Sequence, residues 1–163
     1  MKNRGFSFIE VIVVLVLLSL SYALVAPALS RFSMSVELKS SAKKVAAILR
    51  YYRSEAINRG KVYQVIFDSN LMQVKVQGVD LETQEETEKT EVKDTQKAYL
   101  LPAGVQMKDL NIESTQYPSD LPAIEFYPNG GSNGGDILLN TQTQKGYKIR
   151  VNFLTGTVAI EKV

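Results

Sequence analysis

The chain has 163 residues, of which 45% are hydrophobic and 22% are charged, a composition typical of a folded protein. The formal net charge is +2 and is supplied by Lys2 and Arg4, because the remaining basic and acidic residues are equal in number, so the charge gives no general argument for nucleic-acid binding. The absence of cysteine excludes disulfides, and the absence of histidine excludes Ser-His-Asp triads and histidine metal sites.

A short basic leader, residues 1–5, precedes a long apolar run that reaches Leu29. Residues 11–29 carry no charge, and their number is close to the ~20 that a helix needs to cross a bilayer. We therefore predict one membrane-spanning helix over residues 6–29. Basic residues before a span remain in the cytoplasm, which predicts a single-pass protein with its N-terminus in the cytoplasm and its remainder across the membrane.

Glu10 is the one charged residue between Phe6 and Ser30. A carboxylate deep in the hydrocarbon costs roughly 2.5–3.5 kcal/mol, so a carboxylate at this place is expected to have a partner. The predicted span contains no cationic side chain. The partner is therefore expected to come from another molecule.

The order Gly5, Phe6, three further residues and Glu10, at the start of a membrane segment, resembles the N-terminus of type IV prepilins and type II secretion pseudopilins. The resemblance implies that a prepilin peptidase cleaves between Gly5 and Phe6 and that the new Phe6 amine is N-methylated. It also implies that the Glu10 carboxylate neutralises the N-terminal amine of a neighbouring subunit during assembly.

Two other interpretations concern the same segment. An ordinary signal peptide would use the small residues Ala26-Pro27-Ala28 for cleavage, but its apolar core would be shorter, and Glu10 fits it poorly. A plain signal anchor explains the span, but it does not explain Gly5, Phe6 and Glu10 together.

Residues 30–60 are predicted to form an amphipathic helical stem that ends at Gly60. Apolar residues recur at helical spacing on one face: Leu38, Ala42, Val45, Leu49, Tyr52 and Ala56. Residues 31–61 carry a net charge of +6 and residues 62–163 a net charge of −5. The basic stem is interpreted either as a solvated face or as a surface that meets lipid headgroup phosphates or the acidic heads of adjacent subunits.

Residues 61–163 are predicted to form a β-rich globular head, because the period changes to two after the helix. Two strands, 62–68 and 71–79, form a hairpin. The acidic residues 80–96 predict no definite structure. The further predicted strands are 99–101, 105–110, 123–127, 136–140, 147–153 and 157–162.

The glycine-rich segment 129–135 lies between two of these strands. A phosphate cradle would need a following helix and a lysine with a hydroxyl residue, and both are missing from the sequence there. A calcium loop using Asn133 and Asp136 has few carboxylates. A tight turn that uses positive φ at glycine is the favoured interpretation.

The later part of the chain also resembles the GspH/FimT-type minor pseudopilins, in residues 58–62, in 66–68, in 126–132 and in the closing turn at Thr155-Gly156. The expected fold is α+β: a long N-terminal helix, membrane-spanning in its first half, packed by its second half on an antiparallel β-sheet head. The resemblance implies a structural subunit of the periplasmic pseudopilus of a type II secretion system. Its expected partners are other pilins or pseudopilins, the prepilin peptidase and inner-membrane lipid. Neither a cofactor nor a metal is expected.

The alternative function is that of a minor pilin in a type IV pilus or a DNA-uptake machine, a role that can include contact with nucleic acid. That function needs clustered Lys and Arg on the head. The net charge of the head argues against it, although Lys145, Lys148 and Arg150 offer a small basic patch. A membrane-anchored enzyme is disfavoured because no catalytic residue can be identified.

Overall fold

The structure is a computed structural model that describes residues 7–79, 97–141 and 144–163. It divides the chain into two compact units, Met1–Val36 and Glu37–Val163. The boundary falls within the single helix, α1, which includes residues Phe8–Arg59. Eight strands follow: β1 Val62–Asp68, β2 Gln73–Val79, β3 Lys97–Leu100, β4 Gln106–Ile112, β5 Ala123–Phe126, β6 Gly135–Thr141, β7 Gln144–Val151 and β8 Val158–Lys162.

The strands form two antiparallel sheets of four strands each. The first sheet has the order β3-β2-β1-β5, and the second has the order β4-β6-β7-β8. The predicted α+β fold is confirmed, and the head contains two sheets. The acidic residues 80–96, for which no structure was predicted, lie outside the described residues.

The core of the second unit joins one face of α1 to both sheets. The predicted apolar stripe is confirmed, since each of its members is buried: Leu38, Ala42, Val45, Leu49, Tyr52 and Ala56. Phe67 of β1 and Phe126 of β5 come from the first sheet, and Ile137 of β6 and Ile149 of β7 come from the second. The helical period of the sequence therefore positions the stem on the sheets.

The turn between β1 and β2 differs from its prediction, because β2 begins at Gln73 and not at Leu71. The Asp68 carboxylate accepts hydrogen bonds from Asn70 N at 3.1 Å and from Leu71 N at 3.0 Å. Met72 then adopts a left-handed conformation with φ 47°. An aspartate that bonds the backbone just ahead of it builds a turn, so Leu71 and Met72 are withdrawn from the strand.

Candidate functional site

Two predicted site residues, Gly5 and Phe6, lie outside the described residues. Leader cleavage between them and methylation of Phe6 therefore stay predictions. The predicted span over residues 6–29 likewise begins outside the described residues, and the side chains of residues 23–29 lie outside them too. Within the part of the chain that the structure describes, no helix meets both the length and the apolarity that a membrane crossing requires.

Glu10 is placed in the first turn of α1. The carbonyl of Ser7 accepts hydrogen bonds from Glu10 N at 3.0 Å and from Val11 N at 3.3 Å, so the helix begins directly after Ser7. Serine before a helix, followed by glutamate three residues later, is the capping-box pattern, and the helix dipole also favours a negative charge in the first turn. Glu10 therefore occupies a position in the first turn that suits a glutamate, a local feature that the prediction from its membrane position did not use.

The Glu10 side chain is exposed, and among the described residues it has no ion-pair or hydrogen-bond partner. The apolar side chains from Val11 to Leu20 are exposed as well, with exposed fractions from 39% for Ile12 to 64% for Leu20. Nothing in the described part of the first unit covers this surface. A surface of this size and apolarity indicates contact with lipid or with another protein chain.

The hydroxyl groups of two serines within the apolar run donate hydrogen bonds to backbone carbonyls of the same helix. Ser19 Oγ donates to the Leu15 carbonyl at 2.6 Å, and Ser21 Oγ donates to the Leu17 carbonyl at 2.8 Å. A hydroxyl that bonds the preceding turn needs no water, which suits a helix in an apolar environment.

Two of the three residues of the small basic patch that the alternative function needs, Lys148 and Arg150, are not free, and the side chain of Lys145 lies outside the described residues. Lys148 Nζ lies 2.6 Å from Asp136 Oδ2, and Arg150 Nε lies 3.1 Å from Asp136 Oδ1. Arg150 also pairs with Glu161 at 3.2 Å. Burial raises the pKa of Asp136, but the hydrogen bonds from Lys148 and Arg150 outweigh it, so the pKa lies below its ordinary value. Lys148 and Arg150 are therefore neutralised within the second sheet.

The glycine-rich segment is a turn, as predicted, with φ of 84° at Gly130, 74° at Gly134 and 145° at Gly135. The two residues considered as calcium ligands, Asn133 and Asp136, already use their side-chain oxygens in other contacts. Asn133 Oδ1 accepts a hydrogen bond from Glu125 N at 2.8 Å, and the carboxylate of Asp136 pairs with Lys148 and Arg150. Among the described residues, no three acidic side chains are grouped so that they could hold a metal.

Arg53 of α1 attaches the helix to this turn and to the turn between β7 and β8. Its Nε donates to the Thr155 carbonyl at 2.8 Å and to the Gly130 carbonyl at 3.3 Å. One helical turn earlier, Arg50 Nη2 donates to the Val158 carbonyl at 2.9 Å. The stem thus contacts the head through hydrogen bonds as well as through its apolar face.

A buried carboxylate, Glu125, is a feature that the sequence analysis missed. It accepts four hydrogen bonds, all between 2.8 and 2.9 Å, from Gln64 Nε2, Gln116 N, Tyr117 N and the Tyr127 hydroxyl. Burial, followed by the hydrogen bond to Glu125, raises the pKa of Tyr127, so the phenol stays a donor. The network holds the loop before β5 against the first sheet.

In comparisons with known proteins, two family models match parts of this chain. A model described as prokaryotic N-terminal methylation motif matches residues 1–25, and one described as type II transport protein GspH matches residues 41–155. A type II secretion system protein H of Xanthomonas campestris pv. campestris is 28% identical over 155 residues, which is 95% of this chain and 81% of the relative.

Two solved structures share the fold. The minor pseudopilin EpsH of the Vibrio cholerae type 2 secretion system aligns with a TM-score of 0.56 and 17% identity, covering 77% of this chain and 97% of EpsH. The type IV minor pilin FimU of Pseudomonas aeruginosa aligns with a TM-score of 0.56 and 16% identity, covering 80% of this chain and 92% of FimU.

Proposed function

Because this chain belongs to the family of type II transport protein GspH, we propose that it is a minor pseudopilin, a structural subunit of the periplasmic pseudopilus of a type II secretion system. The observation that carries the proposal is Glu10, an exposed carboxylate without a partner among the described residues, at the start of an exposed apolar helix surface. The role is structural, and no side chain is assigned to catalysis.

The first step of the proposed function is membrane insertion. The apolar residues that follow Glu10 are exposed in their own unit, so lipid is the cover that a newly made subunit would find. The serines in this segment bond to carbonyls of the helix, which leaves few polar groups to be desolvated. Lys2 and Arg4 keep the leader in the cytoplasm, and the head lies in the periplasm.

The second step is processing and assembly. A prepilin peptidase removes residues 1–5, and the new amine of Phe6 is methylated. In the filament, the Glu10 carboxylate of one subunit pairs with the amine of a neighbour. In this pairing the carboxylate and the amine neutralise each other, so neither charge lies unpaired in an apolar environment, and the contact fixes the axial register of the subunits.

The alternative function, a minor pilin of a type IV pilus or DNA-uptake machine, keeps some support from the fold shared with FimU. Contact with nucleic acid would need clustered free cations on the head, whereas Lys148 and Arg150 of the predicted basic patch pair with Asp136 and Glu161. We therefore favour the type II secretion role.

The proposal is tested by the N-terminal mass of the protein after extraction from membranes. We expect a mature chain that begins at methylated Phe6. The matched control is Gly5→Leu, which should block cleavage and leave the apolar helix and Glu10 intact. A mature chain beginning at Leu29 would show that residues 1–28 are an ordinary signal peptide and would overturn the proposal.

A further inference from the structure

Three lysines at the start of the second unit have no partner among the described residues of their chain. Lys39, Lys43 and Lys44 are exposed on α1, and none of them makes a hydrogen bond or an ion pair with the described residues. The other helix cations described so far are engaged, since Arg50 and Arg53 donate to backbone carbonyls and Arg59 Nε lies 2.6 Å from Glu55 Oε2.

This cluster is unfavourable for an isolated helix. Lys39 and Lys43 are four residues apart, so their like charges face each other on one side of α1 and destabilise it by a few tenths of a kcal/mol. The cluster lies in the middle of α1, fifteen or more residues before Arg59, so the helix dipole gives it no compensation. An external anion would supply that compensation.

The acidic groups on the two sheets offer few free partners. Of the seven acidic residues in the described sheets and their loops, Asp68, Glu125, Asp136 and Glu161 are already engaged in hydrogen bonds or ion pairs. This leaves Asp109, Glu113 and Asp120. These described residues therefore offer no large acidic surface to the lysines of a second subunit, and the acidic segment 80–96 lies outside the described residues.

Lipid phosphate is the anion that the position of the lysines favours. Only two residues separate Lys39 from Val36, the last exposed apolar residue of the first unit. We propose that Lys39, Lys43 and Lys44 form a contact surface for the phosphate groups of anionic lipids at the outer leaflet of the inner membrane, before the subunit enters the filament. The inference rests on the membrane insertion proposed above. Each lysine near an anionic surface would contribute about a fivefold gain in association, lost at high salt.

The test uses the full-length chain, which has no native cysteine, so that one introduced cysteine carries a unique label. Ser40→Cys places an environment-sensitive fluorophore next to the three lysines, and Ser54→Cys places it on an exposed position fourteen residues further along α1. Each protein is reconstituted in vesicles of phosphatidylcholine alone or with phosphatidylglycerol, and quenching by a headgroup-attached quencher is measured.

We expect quenching at position 40 to be at least twofold stronger with phosphatidylglycerol and to return to the neutral-vesicle value at about 1 M salt. Position 54 should not respond. Changing all three lysines to glutamine should abolish the response, whereas the same change at the exposed residues Lys97, Lys108 and Lys162, which removes equal charge elsewhere, should retain it.

Three results would overturn the inference. Equal quenching in both vesicle types would exclude a preference for anionic lipid. Loss of the quenching response in the control triple variant would show that the response depends on the net charge of the protein and not on the position of the three lysines. A response that depends on protein density and not on lipid charge would identify another subunit as the partner. Flotation with neutral vesicles is measured alongside, because a chain that fails to float overturns the membrane insertion itself, whereas a chain that floats without a lysine effect overturns only this inference.

Discussion

At the scale of single residues, Glu125 illustrates how a carboxyl group can be buried with hydrogen-bond donors and no cationic partner among the described residues. Its carboxylate receives four donors from three separate places in the chain: β1, the loop at residues 116–117 and Tyr127. Gln64 in turn accepts a hydrogen bond from Gln77 of β2 at 2.6 Å, so the polar row continues across three neighbouring strands. A buried polar network stabilises a fold only when all its members are satisfied.

Glu125→Ala should therefore lower the free energy of unfolding by about 2–4 kcal/mol, because it leaves several buried donors without an acceptor. Denaturant unfolding monitored by circular dichroism measures the change. Glu161→Ala is the matched control: among the described residues, that carboxylate is half exposed and pairs only with Arg150, so the change should be about 0.5 kcal/mol or less. Equal effects of the two variants would show that Glu125 is not the centre of a network.

Asp68 should make the stability depend on pH in the acid range. The hydrogen bond from Leu71 N, with those from Gln73 and Lys75, lowers its pKa below the ordinary 3.8, although burial acts in the opposite direction. The carboxylate therefore stabilises the folded state above pH 3.8, and this contribution is lost as the pH falls through the depressed pKa. The stability difference between the native chain and Asp68→Asn should shrink between pH 7 and about pH 2.

Urea unfolding at several pH values measures this difference. Asp136 also has a lowered pKa, but it is present in both proteins, so subtraction isolates Asp68. A difference that stays constant over the whole range would mean that the turn depends on the shape of the side chain and not on its charge.

At the scale of elements, two glycines with similar backbone angles make a matched pair. Gly60 ends α1 with φ 64°, and Gly156 lies in the turn between β7 and β8 with φ 61°. A Cβ at Gly60 would meet nothing within 4 Å, whereas a Cβ at Gly156 would lie 2.6 Å from the Gly130 carbonyl oxygen and 3.0 Å from Arg53 Nε. An alanine at position 60 would therefore strain the backbone alone, whereas an alanine at position 156 would also clash with neighbouring atoms.

Gly60→Ala should destabilise the protein by roughly 1–2 kcal/mol, the cost of a left-handed conformation for an L-residue. Gly156→Ala should destabilise it by about 1–3 kcal/mol more, because Arg53 and the glycine-rich turn must move. Thermal unfolding of both variants under one condition gives the comparison. Similar melting temperatures would indicate that the contact between Arg53 and the two turns is loose.

The elements were predicted well where the signal is local and repeats along the chain. The apolar stripe from Leu38 to Ala56 predicted the buried face of α1, and β1 was predicted as a strand, although six of its seven residues are buried and its burial does not alternate. β5 has no alternation, since all four of its residues are buried, and the donors of Glu125 are distant in sequence. No periodic pattern reports that kind of contact, so the network was missed.

At the scale of the whole molecule, the proposed site and the head depend on different kinds of information. Glu10 could be predicted because Gly5, Phe6 and the apolar run are adjacent in sequence. The ion pairs of Lys148 and Arg150 could not be predicted from the sequence. They depend on the strand register, which places Asp136 opposite Arg150 and Lys148 opposite Glu161. The role of Glu10 in assembly stays a prediction from the sequence, whereas the ion pairs of the head became visible only in the structure.

Glu10→Gln should leave insertion unharmed or improved, because it removes a costly charge, and cleavage after Gly5 should persist. Assembly should fail, since the amine of a neighbour loses its carboxylate in an apolar environment, and an unpaired buried charge costs ~3–5 kcal/mol. Crosslinking to other pseudopilins in membranes measures assembly, and the N-terminal mass verifies processing.

Glu37→Gln is the matched control, because Glu37 is an exposed carboxylate on the same helix without a partner among the described residues. It should crosslink normally. Normal crosslinking of correctly processed Glu10→Gln would contradict the pairing with a neighbour, unless the subunit occupies the extreme tip of the filament, where no subunit lies above it.

The pairing of β1 with both β2 and β5 has a consequence for how quickly a new subunit becomes safe from aggregation. The β1–β2 hairpin joins neighbours in sequence and can close within microseconds. The pairing of β1 with β5 can form only later, because Phe126, the partner of Tyr63, is synthesised about sixty residues after it. Pairings over such separations slow folding toward milliseconds or seconds. During that interval one edge of β1, with its apolar face, remains open to strands of other chains. The arrival time of β5 therefore sets the period in which a chain held at high density in a membrane is vulnerable to misassembly.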